Sequence, residues 1–377
     1  MKPHTLLIMA GGTGGHVFPG LAVAHKMKDL GWDVQWVGTA EKMEANLVPK
    51  HEIPIHFIDI GGVRGKGIVT KLLTPFMLLH AIWQSIQLIK KIQPSVVLGM
   101  GGYASGPGGI ATKIMGIPLV IHEQNAVFGM TNRYLSKIAK KVLTGFDLSS
   151  VSKQLGIYHK TLFVGNPIRE EFFHIPLKES KDNEGASKVN ILVVGGSLGA
   201  LALNQIVPVA IKNIKATFNL HVKHQTGANK ITQVNEAYAG VSNIEIMAFI
   251  DNISDALNWA DIIICRAGAL TVAEVSAAGR VAIFVPLPIA VDDHQTKNAQ
   301  WLSDQHAAII IPQSELEQAL ESTLNELAKD IEKRQAMGKT ARQLSMRNST
   351  TEVAKVLYEL IGLDYNNANI PSQKEQA

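Results

Sequence analysis

Residues 6–15 read LLIMAGGTGG and residues 191–200 read ILVVGGSLGA. In both, a run of branched apolar side chains, apolar on both faces as a fully buried strand would be, breaks into Gly-Gly-Thr or Gly-Gly-Ser and then into a helix-length segment. Meeting the same strand–turn–helix unit twice predicts two similar α/β domains. Outward from these two stretches the pattern continues: VQWVG, IHFIDI, SVVLGM and LVIHE follow the first, and LHVKHQ, IEIMAF, IIICR, AIFVP and AIIIP follow the second. Short β-branched runs alternating with helical segments specify parallel sheets covered by helices. The division falls near Asn166-Pro167, giving a domain over 1–166 and another over 167–348. IPLKESKDNEGASK (175–188) reads as a solvated loop, and SELEQALESTLNELAKDIEKRQAMGKTARQL (314–344) as a helix pair covering a sheet. A last helix, 349–363, is expected to return to the first domain, and 364–377 to be a disordered tail.

Composition narrows the function classes. The chain has 377 residues, 46% hydrophobic and 18% charged, with a net charge of +4. That describes globular domains and leaves out a dedicated nucleic-acid binder. The single cysteine, Cys265, lies inside DIIIC and reads as a small buried hydrophobe; one cysteine allows no disulfide within the chain. The apolar run before the first glycines is too short for a secretory leader, and LLTPFMLLHAIWQSIQLI (72–89) is too interrupted by polar residues and proline to span a bilayer.

The glycine loops GGTGGH (11–16), GMGGYASGPGG (99–109) and GGSLGA (195–200) each follow a strand and precede a helix. Exposed amides at the positive end of a helix suit a diphosphate or a sugar held against backbone. A dinucleotide fingerprint is not met at residues 12–17, and VQWVGT ends without the acid that would bind a ribose. Gly338-Lys339-Thr340 lacks the upstream glycine of a nucleotide-triphosphate loop, and there is no Asp-x-Asp pair to chelate a metal–diphosphate. Neither a cofactor nor a metal is implied.

Read in order, GGTGGHVFPGLAVA, GMGGYASGPGG, HEQNAVFG, VGNPIR, VVGGSLGA, FIDNISDAL, CRAGALTVAE and DDHQTKNA resemble the bacterial MurG family of peptidoglycan glycosyltransferases, from about residue 5 to about 362. The resemblance implies a GT-B fold, two Rossmann-like domains with parallel sheets facing across a cleft. It implies transfer of N-acetylglucosamine (GlcNAc) from UDP-GlcNAc, with inversion, to undecaprenyl-diphosphate-linked N-acetylmuramoyl-pentapeptide, in peptidoglycan synthesis at the cytoplasmic face of the inner membrane. It places Arg169 and Ile250 about the uracil, Glu274 on the ribose hydroxyls, and Ser197 with Ala269, Leu270, Thr271, Val272 and Ala273 at the diphosphate, with Arg266 a further cation there. Gln295 and Asn298 fall to the sugar hydroxyls; His294 stands where other members carry a glutamine, and Ala267 where some carry a serine. Thr13, Gly14, Gly15 and Asn125 approach the donor sugar from the first domain. His16, at a helix start that favours neutral imidazole, is the candidate general base, with Glu123 as its rival; His122 reads as structural. A UDP-GlcNAc 2-epimerase-like isomerase of the same architecture is the alternative reading, ahead of a NAD-dependent oxidoreductase and a non-catalytic nucleotide-sugar sensor.

A lipid-linked acceptor brings the enzyme to the membrane. Leu72, Leu73, Phe76, Leu79, Trp83 and Ile86 recur at helical spacing between Lys66, Lys71 and Lys90-Lys91, a pattern suited to the surface of an anionic bilayer. Met77, Leu78 and Ala81 fall on another face, so the helix has more apolar surface than one core needs.

Overall fold

A computed structural model of the chain describes residues 3–61, 68–178, 188–196, 198–214, 217–288 and 293–368, with only the backbone described for 68–72. It divides into two compact units, Met1–Ile168 with Asn348–Ala377, and Arg169–Arg347.

Unit 1 is a seven-stranded sheet, every pairing parallel. Its strands are β1 (Thr5–Ala10), β2 (Asp33–Gly38), β3 (Ile55–Phe57), β4 (Val96–Gly101), β5 (Leu119–Glu123), β6 (Lys141–Thr144) and β7 (Thr161–Phe163), in the order β3-β2-β1-β4-β5-β6-β7. The central strands β1, β4 and β5 are almost wholly buried, because helices cover both faces. β6 and β7 do not stand out as apolar runs: β6 has four residues, and β7 is a three-residue, half-exposed edge strand. On one face the helix Gly14–Asp29 packs Val17 and Leu21 into a core shared with Val353, Ala354 and Leu357 of the helix Ser349–Leu360. Where the sequence reads as a disordered tail, Tyr365–Asn367 forms a short 3-10 turn, held because Tyr365 packs edge-on against Tyr358 at 5.5 Å. Residues 369–377 lie outside the described residues.

Unit 2 repeats the plan with six strands, again all parallel. These are β8 (Val189–Val194), β9 (Leu220–Gln225), β10 (Ile244–Met247), β11 (Ile262–Cys265), β12 (Val281–Phe284) and β13 (Ile309–Ile310), in the order β10-β9-β8-β11-β12-β13. The helix Leu316–Lys329 buries Leu316, Leu320, Leu324 and Leu327 along one stripe, each worth roughly 1.5–3 kcal/mol of transfer free energy. Asp330 starts the following helix, Ile331–Leu344, its side chain accepting from Lys333 N at 2.8 Å. The expected solvated loop is partly a packed strap: Ile175 is buried, and Lys178 bonds the Trp259 carbonyl. Its residues 179–187 lie outside the described residues.

In each sheet the chain reverses its direction of winding once, between β1 and β4 and between β8 and β11. At such a point the loops leaving adjacent strands diverge and open a crevice at the strands' carboxyl ends. GGTGGH leaves β1 and GMGGYAS leaves β4; GGSLGA leaves β8 and the turn Arg266-Ala267-Gly268 leaves β11. The topology therefore singles out these loops as the binding loops of each unit.

Candidate active site

In unit 1 the two glycine loops touch through backbone. Gly102 has φ +82°, and a Cβ there would run into Gly11, lying 3.0 Å from its carbonyl carbon. Ser105, buried behind them, accepts from Gly101 N at 3.1 Å and places its hydroxyl within hydrogen-bond distance of the Met9 and Gly101 carbonyls. Glu44, fully buried, clamps the same turn: Oε2 accepts from Gly12 N, and Oε1 accepts from the amide and hydroxyl of Thr39. Sequence reading passed over Glu44, since a lone acid in a polar stretch has no pattern to mark it.

The first internal bond of the helix Gly14–Asp29 runs from His16 N to the Thr13 carbonyl, so the amides of Gly14 and Gly15 open the helix ahead of it. His16 Nδ1 lies 3.2 Å from the Gly11 carbonyl and 3.4 Å from Thr13 Oγ1. A carbonyl only accepts, so Nδ1 carries the proton and Nε2 is the basic nitrogen. The ring edge with Nε2 lies over Gly101, where a Cβ would come within 3.0 Å of it.

Glu123, at the end of β5, is buried and saturated. Oε1 accepts from Asn125 N and Nδ2 at 3.1 and 3.2 Å; Oε2 accepts from Gly129 N and Asn132 Nδ2, both at 3.0 Å. The carboxylate thus holds the HEQN loop to the helix Met130–Ile138, with Asn125 as one of its donors. His122 is fully buried, donates Nε2–H to the Gly165 carbonyl at 3.0 Å, and is pushed down to about 4 by burial, so it is neutral at physiological pH.

In unit 2 the turn after β8 crosses the turn after β9, and Gly199 (φ +69°) lies where any Cβ would strike the Thr226 carbonyl. A directed chain of hydrogen bonds fixes that carbonyl. Asn204 Nδ2 donates to Thr226 O at 3.0 Å, so Asn204 Oδ1 accepts from His224 Nε2 at 3.1 Å, and His224 Nδ1 accepts from the Tyr238 hydroxyl at 3.0 Å. His224 is buried and held neutral, near 4, by desolvation. Gln225 ties the loop to Ile250: Nε2 donates to the Gly196 carbonyl and Oε1 accepts from Ile250 N, at 2.9 and 3.1 Å. Asn204, His224 and Gln225 were not foreseen; only their alignment on neighbouring elements reveals them. Ser197 lies outside the described residues.

The helix Ala269–Ala278 starts beside this loop. Ala269, Leu270 and Thr271 supply the amides of its first turn, whereas Val272 N already donates to the Gly268 carbonyl at 3.0 Å and, like Ala273 behind it, sits inside the helix ladder. Glu274, half-buried on the same helix, is pushed up to about 7 by burial, against the pull of Arg169 and with Glu171 adding to the rise. Arg169 pairs with Glu171 at 2.9 Å and lies 4.9 Å from the Phe172 ring centre. The structure thus brings Arg169 and Glu274 together.

The Arg266 guanidinium donates to the carbonyls of Val285 and Pro286 and to Gln313 Oε1, bracing the ends of the strands. Gln295 accepts from Leu287 N at 3.0 Å; Asn298 is fully buried and donates to the Ala267 carbonyl at 3.1 Å, behind the turn instead of on its surface. Cys265 is buried, and its thiol is pushed up by burial and by Glu274, which leaves it no nucleophilic character.

The helix Ile68–Ile92 has two apolar faces. Ala81 and Ile89 are buried, with Ile82 and Ile86 packed beside them, while Leu73, Phe76, Leu79 and Trp83 face outward, Phe76 71% and Trp83 57% exposed. Ile86 therefore belongs to the core and not to the outer stripe. The side chain of Leu72 lies outside the described residues, as do Lys66 and the side chain of Lys71. Among the described residues no helix is long and apolar enough to cross a membrane.

Two parallel α/β units, each carrying glycine-rich helix starts at its switch point, define a glycosyltransferase of the GT-B class. The glycosyltransferase family 28 N-terminal domain matches residues 6–144 and the corresponding C-terminal domain residues 190–356. The chain is 51% identical, over 83% of its length and 86% of the relative's, to the UDP-N-acetylglucosamine--N-acetylmuramyl-(pentapeptide) pyrophosphoryl-undecaprenol N-acetylglucosamine transferase of Tolumonas auensis. It is similar to the crystal structure of Acinetobacter baumannii MurG, with a TM-score of 0.80 and 40% identity, covering 95% of this chain and 100% of that one. The chain belongs to the MurG family. The UDP-GlcNAc 2-epimerase of Neisseria meningitidis, at 11% identity and a TM-score of 0.68 over 94% of this chain and all of that one, shares the fold alone.

Proposed function

We propose that the loops of the two units divide the labour of one transfer reaction. The protein is a UDP-GlcNAc-dependent N-acetylglucosaminyltransferase that carries GlcNAc to the C4 hydroxyl of undecaprenyl-diphosphate-linked N-acetylmuramoyl-pentapeptide in peptidoglycan synthesis. In this reading unit 2 holds the donor. Arg169 and the Ile250 backbone set by Gln225 flank the uracil, and ionised Glu274 accepts from the two ribose hydroxyls. The amides of Ala269, Leu270 and Thr271, with Ser197, meet the diphosphate, which gains charge as it departs, so they assist the transition state more than the ground state. Gln295 reaches the sugar, and Asn298 acts from behind by fixing the Ala267 turn.

Unit 1 handles the acceptor. As the C4 oxygen forms its bond to the anomeric carbon, the bond from that carbon to the β-phosphate oxygen breaks and its electron pair leaves with UDP. The hydroxyl proton passes to His16 Nε2. Glu123, with both oxygens occupied, serves as the anchor of Asn125 and not as the base. Thr13, Gly14 and Gly15 present the helix start to the sugar or to the acceptor's diphosphate. The exposed face of Leu73, Phe76, Leu79 and Trp83 rests on the anionic inner membrane at its cytoplasmic side, where the lipid acceptor resides.

The observation that supports this reading is the 3.2 Å contact of His16 Nδ1 with the Gly11 carbonyl, an acceptor only, which makes Nε2 the nitrogen suited to take the proton. The test supplies labelled UDP-GlcNAc with and without a lipid-linked muramoyl-pentapeptide. UDP release that depends on the acceptor and collapses in His16→Ala supports the assignment; acceptor-independent epimerisation overturns it.

A further inference from the structure

We propose that unit 2 carries a second ligand site, for a small polyanion of the phosphate or diphosphate class, at the end of its sheet opposite the glycine loops. A cavity of about 550 Å³ opens there, lined among others by Lys178, Asp261, Arg280, Arg334, Gln335 and Lys339. Asp261 and Arg280 stand immediately before β11 and β12, at the amino ends of strands whose carboxyl ends feed the donor loops. The cavity is thus separated from those loops by the length of the sheet.

Its charge is out of balance. Lys178, Arg280, Arg334 and Lys339 face Asp261 and Glu332, four cations against two carboxylates. Asp261 is already committed: Oδ1 lies 3.3 Å from Lys178 Nζ, and Oδ2 accepts from Asn190 N at 2.8 Å. Among the described residues, the buried Arg280 guanidinium donates to the carbonyls of Pro176, Leu257, Asn258, Ala278 and Gly279. Arg334, more than nine-tenths buried, likewise donates to the carbonyls of Leu327 and Ala328. Carbonyls orient a guanidinium without neutralising it, and the nearby Asp261, already paired with Lys178, is shared by Arg280 and Arg334, with Asp330 acting on Arg334 alone. Burial, together with the neighbouring Arg342, draws Arg280 down to about 10 in spite of Asp261. Gln335 adds a buried Nε2 donor with no partner. An excess of cations around a space large enough for a diphosphate is the chemistry that recognises phosphate oxygens. This inference does not depend on the transfer reaction or on which residue is its base.

The experiment is calorimetric titration of the full chain with inorganic pyrophosphate, excess UDP being present to occupy any nucleotide site. Wild type is expected to bind with a salt-dependent affinity, and Lys178→Gln/Lys339→Gln to bind about tenfold more weakly or worse. Arg334→Gln removes a support of two helix-end carbonyls and can unfold the corner, so the lysine pair, at the edge of the cavity, carries the comparison, with thermal melting to confirm that both proteins fold. No binding by UDP-saturated wild type, or equal affinity in wild type and the double variant, overturns the site. If UDP itself fails to bind, the donor assignment falls, while the difference between wild type and variant still reports on this cavity.

Discussion

Replacing Gly102 with alanine tests whether the two glycine loops of unit 1 must touch. Gly102 sits at φ +82°, where a side chain costs roughly 1–2 kcal/mol. The new Cβ would also stand 3.0 Å from the Gly11 carbonyl carbon and 3.1 Å from its amide nitrogen, closer still to the oxygen. Carbon contacts rest near ~3.5 Å, so the loops must part by about 0.5–1 Å. Neither neighbour can swing aside, because both are backbone, and the Gly11 carbonyl is the group that orients His16. A displacement near 1 Å in a reacting constellation costs about 10²-fold in rate. Gly116 is the matched control: it has φ +71° but open space around its Cβ, so Gly116→Ala bears the backbone cost alone. Gly116→Ala should melt roughly 2–8 °C below wild type, as expected for about 1–2 kcal/mol in a domain of this size, and Gly102→Ala lower still, because it bears the clash with Gly11 as well. Acceptor-dependent UDP release should fall about 10²-fold in Gly102→Ala and remain near wild type in Gly116→Ala. Equal kcat in the two variants would refute the coupling between the loops.

Three further outcomes follow from the same geometry. His16→Ala should lower kcat by about 10²–10⁴-fold with little change in the KM for UDP-GlcNAc; a comparable loss in KM alone would make the residue a binding group. The Glu274 carboxyl titrates near 7, raised by burial, so it favours folding below the ordinary carboxylate range and that contribution is lost as pH rises through about 7. Glu274→Gln should therefore melt progressively higher than wild type between pH 5 and 8, yet bind UDP about 10–100-fold more weakly and without the rise in affinity toward pH 7 that wild type shows by calorimetry. Phe76→Ser/Trp83→Ser should lose at least about tenfold in sedimentation with anionic vesicles while keeping its thermal midpoint, since both side chains face outward; equal binding would free this face from the membrane.

The alternation of apolar runs was enough to assign parallel sheets, because a strand covered on both faces must be apolar throughout, and LLIMAGGTGG and ILVVGGSLGA announce the two units on their own. The loops were legible for a related reason: a turn that passes against another backbone admits only glycine, and glycine is visible in a sequence. β6 and β7 were not, since strands this short, at the sheet's edge or next to it, need no distinctive composition. Side-chain roles depended most on tertiary structure. Arg266 and Arg280 are both arginines beside strand ends, and only folding shows that Arg280 donates to backbone carbonyls and Arg266 to two carbonyls and the Gln313 side chain. Asn298 and Glu123 have the chemistry of ligands, but folding buries both, Asn298 donating to the Ala267 carbonyl and Glu123 with both oxygens taken by backbone and side-chain donors. Glu44, Asn204, His224 and Gln225 come from distant segments and gain their purpose from meeting a particular carbonyl or amide. Sequence determined which backbone could make the binding loops, because steric permission is local; only the tertiary structure decided which polar groups face a substrate and which hold those loops in place, because a hydrogen bond is a property of two groups brought together.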